Sequence, residues 1–316
     1  MSVSLTWRRA ALGVLAVLAA GLAASTGSAA GGRSQVQQPS SSIGQPCLFF
    51  DEATFLKAVR EADAVPQPNG TVYGGIIPHH WLAGDLITGF LAGLAKGDPV
   101  RTVVLIGPNH PNAGSARVLT SDLPWDTPFG VVEPDQQMIG ALTDSGLATV
   151  EDEILATEHS VAGIMPAIKY YLPDAQVVPI ILSGETTLAQ ARQLGEFLSS
   201  LRQEGTVFVA SVDFSHYLTR AWAERHDSLT LDAIRGFDDT TLFTLDSGYL
   251  DSPPSIATLM AAMKALGADQ FVLLDNTNSD ALADDELAPT TSYITGYYRP
   301  GDSLDDPEAD ASQSKR

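Results

Sequence analysis

Histidine is scarce in this sequence and unevenly placed. There are six in all, His79, His80, His110, His159, His216 and His226, and five of them fall just after an apolar run or just before a helical pattern. Neutral imidazole is a favoured ligand for iron, zinc and copper, and it titrates near neutral pH, so it also serves as acid or base. Two histidines and one carboxylate on one face of an ion form the usual site of non-haem iron(II) and dioxygen. His79 and His110 are the pair expected on a metal. Asp280, in Asn278-Ser279-Asp280, is a candidate oxygen ligand, and Glu158 is another. Asp213 is placed either to orient His216 or to accept from loop amides. A single histidine at a strand end more often bonds loop backbone, but three such ends together argue for a metal or catalytic site. His226, in Glu224-Arg225-His226-Asp227 on a helix, reads as a solvated surface residue.

The elements that carry these residues repeat one grammar. Val103-Val104-Leu105-Ile106 is too short for a helix and reads as a buried strand. Gly107 and Pro108 end it, and Asn109-His110 follows. Tyr73-Gly74-Gly75-Ile76-Ile77-Pro78 delivers His79 and His80 in the same way, and Val207-Phe208-Val209-Ala210-Ser211-Val212 delivers Asp213-Phe214-Ser215-His216. Open α/β sheets bind ligands at the carboxyl ends of their strands. Helical spacing is expected over 52–62, 82–96, 134–146, 161–171, 187–203, 220–236 and 255–266, and further strands over 177–182, 270–274 and 292–297. The alternation predicts an α/β fold with a largely parallel central sheet and helices on both faces. Residues 114–134 read as a turn-rich loop centred on Trp125-Asp126-Thr127-Pro128-Phe129-Gly130, which either walls a pocket or simply packs.

Composition narrows the function. At 316 residues, 44% hydrophobic and 18% charged, the chain is an ordinary globular protein with a full core. A net charge of −20 disfavours nucleic acid as a partner. The single cysteine, Cys47, permits neither an internal disulfide nor a thiolate cluster. No dinucleotide fingerprint, phosphate-binding loop, Cys-x-x-Cys or Gly-x-Ser-x-Gly elbow occurs, which counts against a serine hydrolase at Ser215 beside His216. Arg8 and Arg9 precede an apolar run over 10–24 and small residues over 25–30, the order of a secretory signal. That run is short for a span, which needs roughly 20 residues, so export is expected, with an N-terminal membrane anchor as the alternative. The expected organisation is a signal or anchor over 1–30, a flexible tether over 31–46, one domain over 47–299 and an acidic disordered tail over 300–316.

Taken together, Ile76-Ile77-Pro78-His79, Gly107-Pro108-Asn109-His110, Glu158-His159-Ser160 and Asp213-Phe214-Ser215-His216 resemble, in order, the Memo-like family, whose bacterial members are called AmmeMemoRadiSam system protein B. Trp125-Asp126-Thr127-Pro128 and Ser292-Tyr293-Ile294-Thr295-Gly296 fit as well, so the likeness covers roughly residues 72–298. That family is similar in fold and pocket to the class III extradiol dioxygenases of the LigB type. The resemblance implies metal at His79 and His110, and pocket positions at His159, Asp213 and His216. It also implies that a pocket histidine, His159 or His216, moves protons. Animal members carry a cysteine ligand near the C-terminal end. The stretch from Asn278 to Pro289 has none, so an oxygen ligand such as Asp280 is expected there. That favours iron(II), manganese or zinc over copper. His80 follows His79 directly, which leaves open which of the two binds metal.

Three functions remain in view. The first is a metal-dependent, dioxygenase-like oxidoreductase, with iron(II) as its divalent metal, acting on a small molecule or redox partner. The second is a metal- or ligand-binding module without turnover. The third is metal-assisted hydrolysis, in which His216 activates water.

Overall fold

The computed structural model describes residues 44–283 and 289–301. The expected export segment, most of the expected tether, the Asp284-Asp285-Glu286 cluster and the tail from residue 302 lie outside the described residues.

Nine strands make the main sheet: β1 (Gly74–Ile77), β2 (Thr102–Pro108), β3 (Val118–Thr120), β4 (Thr149–Val150), β5 (Gln176–Leu182), β6 (Thr206–Ser211), β7 (Phe214–Leu218), β8 (Gln270–Asn278) and β9 (Thr290–Arg299). Their order is β7-β9-β1-β6-β2-β5-β3-β4, with β8 also paired to β9. The four central strands, β1, β6, β2 and β5, are mutually parallel. Antiparallel pairs stand at the margins, where β9 meets β1, β7 and β8, and β3 meets β5. The α/β class therefore stands, parallel at its centre.

The central strands are buried on both faces, and their side chains divide with period two. Val104, Ile106, Val178, Ile180, Phe208 and Ala210 join one core, with Leu194, Leu198, Ile256 and Leu259 from the helices Leu188–Ser200 and Pro253–Ala265. Val103, Leu105, Val177, Ile181, Val207 and Val209 join the other, with Ile87, Phe90 and Leu91 from Gly84–Lys96. Burying both faces fixes the register, because a one-residue slip would exchange the two cores. With Ile77 opposite Ser211 and Ile106 opposite Ala210, the chain leaves β1, β2 and β6 at one end of the sheet.

Several local expectations change. The stretch expected as a loop over 114–134 contains β3 and two strands of a separate small sheet, Trp125–Thr127 and Gly130–Val132, onto which Gln45–Pro46 also pairs. Trp125 is 1% exposed and packs in a core, so it does not wall a pocket. The helix expected over 161–171 is two pieces, His159–Ala162 and Met165–Tyr171. β8 and β9 run further than their apolar cores, because they form a long antiparallel pair that satisfies the polar residues of both by backbone bonds.

A buried carboxylate ties this margin together. Asp227, on the helix Arg220–Arg235, accepts from Ser215 Oγ at 2.7 Å and Ser292 Oγ at 2.6 Å. Burial raises its pKa, and the bonds from Ser292, Ser215 and Asn276 only partly offset that. A carboxylate with a raised folded pKa costs nothing below its unfolded value, and it costs increasingly as pH climbs through the folded one. Asp227→Asn, which keeps an acceptor for both serines, is therefore expected to gain stability relative to the parent between pH 4 and pH 7. Melting curves at the two pH values measure it; a constant difference would contradict the assignment.

Candidate metal centre

Two of the three expected strand ends, together with one helix start, bring histidines to one place. His79 follows β1, His110 follows β2, and His159 begins the short helix after Glu158. Each offers a ring nitrogen within 4.8 Å of the others, so the three could hold a metal ion. His79 and His110 meet edge to face at 5.2 Å between ring centroids, and His110 stacks on His159 at 4.3 Å.

What aims these rings is the partner on the other nitrogen of each. Glu158 Oε1 stands 2.8 Å from His110 Nδ1 and 3.2 Å from His159 Nδ1. The same carboxylate accepts the His110 backbone N–H at 2.9 Å and the Ser160 N–H at 3.0 Å. His79 Nδ1 donates to the Ser211 carbonyl at 3.2 Å. With Nδ1 protonated in all three, the lone pairs are left on Nε2, the arrangement found around bound metals. Glu158 is thus a support for two ligands, where the sequence had offered it as a ligand itself. Burial opposes its ionisation, but the imidazoles of His110 and His159 outweigh that and hold it well below the usual carboxylate range.

A carboxylate that sequence reasoning missed, Asp251, stands against this cluster. Its Oδ2 lies 3.3 Å from His79 Nε2 and 3.6 Å from His110 Nε2. Donors each ~2.1 Å from one ion stand roughly 3.0–3.4 Å apart at octahedral or tetrahedral angles, so the approach to His79 fits a shared ion and the approach to His110 needs to close by a few tenths of an ångström. Its other oxygen, Oδ1, is buried without a hydrogen-bond partner, as befits a group built for something the protein chain does not supply. Asp280, expected in this role, is not in the cluster. It is buried in the short helix Ser279–Ala283, with its amide against Thr290 Oγ1. Asp251 lies in an irregular loop before the helix Pro253–Ala265, with no strand grammar to announce it; an Asp just before Ser252-Pro253 was the only available sign.

The remaining residues fall around this cluster. His80 is not part of it: its Nδ1 pairs with Tyr293 Oη at 2.6 Å, which leaves His79 as the ligand-capable member. Asp213 Oδ1 accepts the His79 N–H at 3.0 Å, and its Oδ2 is 3.6 Å from His79 Nε2. Burial raises the Asp213 pKa. His216 shares a cavity of about 290 Å³ with His110 and Asp251, and its Nδ1 is buried with no partner. His159, expected as a pocket acid or base, stands within the cluster itself. His226 is no solvated surface residue. It stacks flat on Tyr249 at 3.8 Å and bonds the Gly248 carbonyl at 2.7 Å, bracing the loop that leads to Asp251.

Electrostatics separates the two principal imidazoles. Burial, with His110 and His159 nearby, lowers the His79 pKa to about 4 despite Asp251. For His110, burial works downward, but Asp251 and Glu158 outweigh it and push the pKa up to about 10. His79 therefore stays neutral and ligand-ready in mildly acid solution, while His110 carries a proton that a metal must displace.

A family profile described as "Memo-like protein" matches residues 51–296, most of the chain. The chain belongs to the Memo-like family. A MEMO1 family protein of Pyrobaculum aerophilum is 32% identical over 231 residues, covering 68% of this chain and 79% of the relative. A MEMO1 family protein of Methanococcoides burtonii is 34% identical over 227 residues, covering 67% and 82%. An uncharacterized protein of Escherichia coli K12 superposes with a TM-score of 0.47 at 13% identity, over 71% of this chain and 99% of that one.

In this Memo-like chain the approach of the Glu158 loop depends on one glycine. A Cβ at Gly107 would come within 2.5 Å of Ser160 Oγ, which donates to the Pro108 carbonyl. Gly107→Ala is expected to destabilise the fold by about 1–3 kcal/mol and to loosen metal binding by displacing Glu158. Thermal melts with and without metal would register both effects; an unchanged melt in each state would contradict the packing account.

Proposed function

We propose that this Memo-like protein is a metal-dependent oxidoreductase of dioxygenase type. It takes iron(II) at His79, His110 and Asp251 and acts on a small molecule. The observation that carries this is the approach of Asp251 Oδ2 to both Nε2 atoms, at 3.3 and 3.6 Å, which makes a set of two histidines and one carboxylate. When bound, the ion would supply redox chemistry and Lewis acidity toward an organic molecule and dioxygen. Glu158 keeps the Nδ1 protons of His110 and His159 in place. His159 presents its Nε2 lone pair beside the cluster, where it can accept a proton. His216 takes or returns a proton at Nδ1 from the cavity, and Asp213 fixes the His79 backbone while that happens.

The test is oxygen uptake by anaerobically prepared, iron-loaded protein challenged with catechols. Uptake that disappears in His110→Ala supports the reading; a folded, iron-loaded protein that consumes no oxygen with any of them points to a binding module. One observation favours a second reading. Three histidines within ligand distance also make a zinc site of the hydrolytic kind. The two differ at His159: metal is retained in His159→Ala on the first reading and lost on the second.

The same reading places the protein outside the cytoplasm, on the charged, apolar, small-residue order of its first thirty residues. Any membrane contact is made through that segment; among the described residues no helix is long and apolar enough to cross a membrane. Fractionation with N-terminal sequencing tests this. The expected product is a chain beginning near residues 25–31 outside the cytoplasm, and an intact cytoplasmic chain would contradict it.

A further inference from the structure

We propose that this chain carries a second binding site, for the phosphate ester of a small hydroxylated molecule, at the end of the sheet opposite the metal centre. The site is a cavity of about 470 Å³, inside the roughly 300–1,000 Å³ range of ligand pockets. It lies where the chain enters β1, β2 and β6, with Tyr73 before the first, Arg101 before the second and Gly205 before the third. β2 is seven residues long, so at about 3.3 Å per residue it holds this cavity about 20 Å from His110. Buried Val72, Leu94 and Val207 line it on the core side, and exposed Asp98, Arg101 and Glu204 line it toward solvent.

Two arginines give the cavity its chemistry. The chain has 38 acidic residues against 18 basic ones, and arginines elsewhere take carboxylates, Arg192 with Asp239 and Arg220 with Glu224. Arg101 and Arg202 form no ion pair among the described residues, although Asp98 and Glu204 line the same cavity. The guanidinium carbon of Arg202 lies 4.1 Å from the centre of the Tyr73 ring, and its Nε is buried with no hydrogen-bond partner. Stacking fixes the plane of the fork and leaves its N–H edge for an acceptor. A buried donor without an acceptor is costly, so packing on Tyr73 does not by itself account for this arginine. Arg101 is seated by Gly205, at φ 81°: a Cβ there would stand 2.9 Å from Arg101 Cγ and 2.8 Å from the Pro99 carbonyl oxygen. Two planar forks suit the several oxygens of a phosphate better than the two of a carboxylate. The carboxylates set the rest of the ligand. Asp98 accepts from Thr71 Oγ1 at 3.1 Å through one oxygen, so its other oxygen and the exposed Glu204 are left to accept from hydroxyls. A bare anion would meet these two carboxylates with no donor to offer them.

The experiment measures calorimetric binding of ribose 5-phosphate, inorganic phosphate and ribose to the full chain, with and without metal. Ribose 5-phosphate is expected to bind equally in both states and at least about tenfold tighter than inorganic phosphate, while ribose gives no binding at the same concentration. Arg101→Gln and Arg202→Gln are each expected to weaken it about tenfold or more, with circular dichroism confirming the fold. Arg202→Lys keeps the charge without the fork, and its affinity is expected to fall between those of the parent and Arg202→Gln. The NMR signal of the Arg202 Nε–H is expected to move as ribose 5-phosphate is added. Binding seen only in the metal-loaded chain would place the ligand at the metal centre and overturn the proposal. So would inorganic phosphate binding as tightly as ribose 5-phosphate, affinity unchanged in both glutamine variants, or failure of ribose 5-phosphate to bind.

Discussion

Glu158→Ala is expected to weaken metal binding by about 10–100-fold while the chain stays folded. The effect is large because one carboxylate performs four tasks. It holds Nδ1 of His110 at 2.8 Å and Nδ1 of His159 at 3.2 Å, and it accepts the backbone N–H groups of His110 and Ser160. Without it, neither ring has its orientation or tautomer fixed, and the negative charge that offsets an incoming cation is gone. Glu158→Gln separates these contributions. The amide oxygen can still accept one Nδ1–H, so orientation is partly kept while the charge is lost. Its affinity is expected to fall between those of the parent and the alanine variant. The check is competition against a chelator of known affinity, with circular dichroism to confirm folding. Equal affinity in parent and alanine variant would mean that Glu158 serves only the loop.

Asp251→Asn is the second large change. The substitution keeps the side chain's shape but removes the charge shared between His79 and His110. Affinity for a divalent ion is expected to drop about 100-fold. The metal-free variant should also titrate differently. Asp251 and Glu158 together push the His110 pKa up to about 10, so removing one of them lowers it. NMR of the His110 ring in the metal-free protein would follow that shift. An unmoved His110 titration would place Asp251 outside the cluster, whatever the metal measurements gave.

The sequence is most informative where a single rule governs a residue. Val103 to Ile106 could only be a buried strand, and its Gly107-Pro108 ending put His110 at a strand exit; the same logic located His79 and Asp213. Two cores with period-two membership then followed from strands apolar on both faces. What was hidden depended on long-range partners. Trp125 looks like a loop residue until its strand pairs with Gln45 and Pro46, far away in sequence. Asp280 and Asp251 both precede or begin helices, the first buried and the second half-buried, and local pattern gives no ground for choosing between them. Packing of the loop braced by His226 and Tyr249 brings Asp251 to the histidines. Glu158 was recognised as oxygen-bearing and near the site, but its role depends on which nitrogen of each ring it meets, and spacing cannot reveal that.

The central claim is that His79, His110 and Asp251 hold a metal ion with Glu158 behind them. Elemental analysis tests it most directly, on protein purified without oxygen, chelators or a histidine tag. The account predicts close to one iron per chain in the parent and almost none in His110→Ala or Asp251→Asn. Metal content unchanged in both variants, with the fold intact, would contradict it.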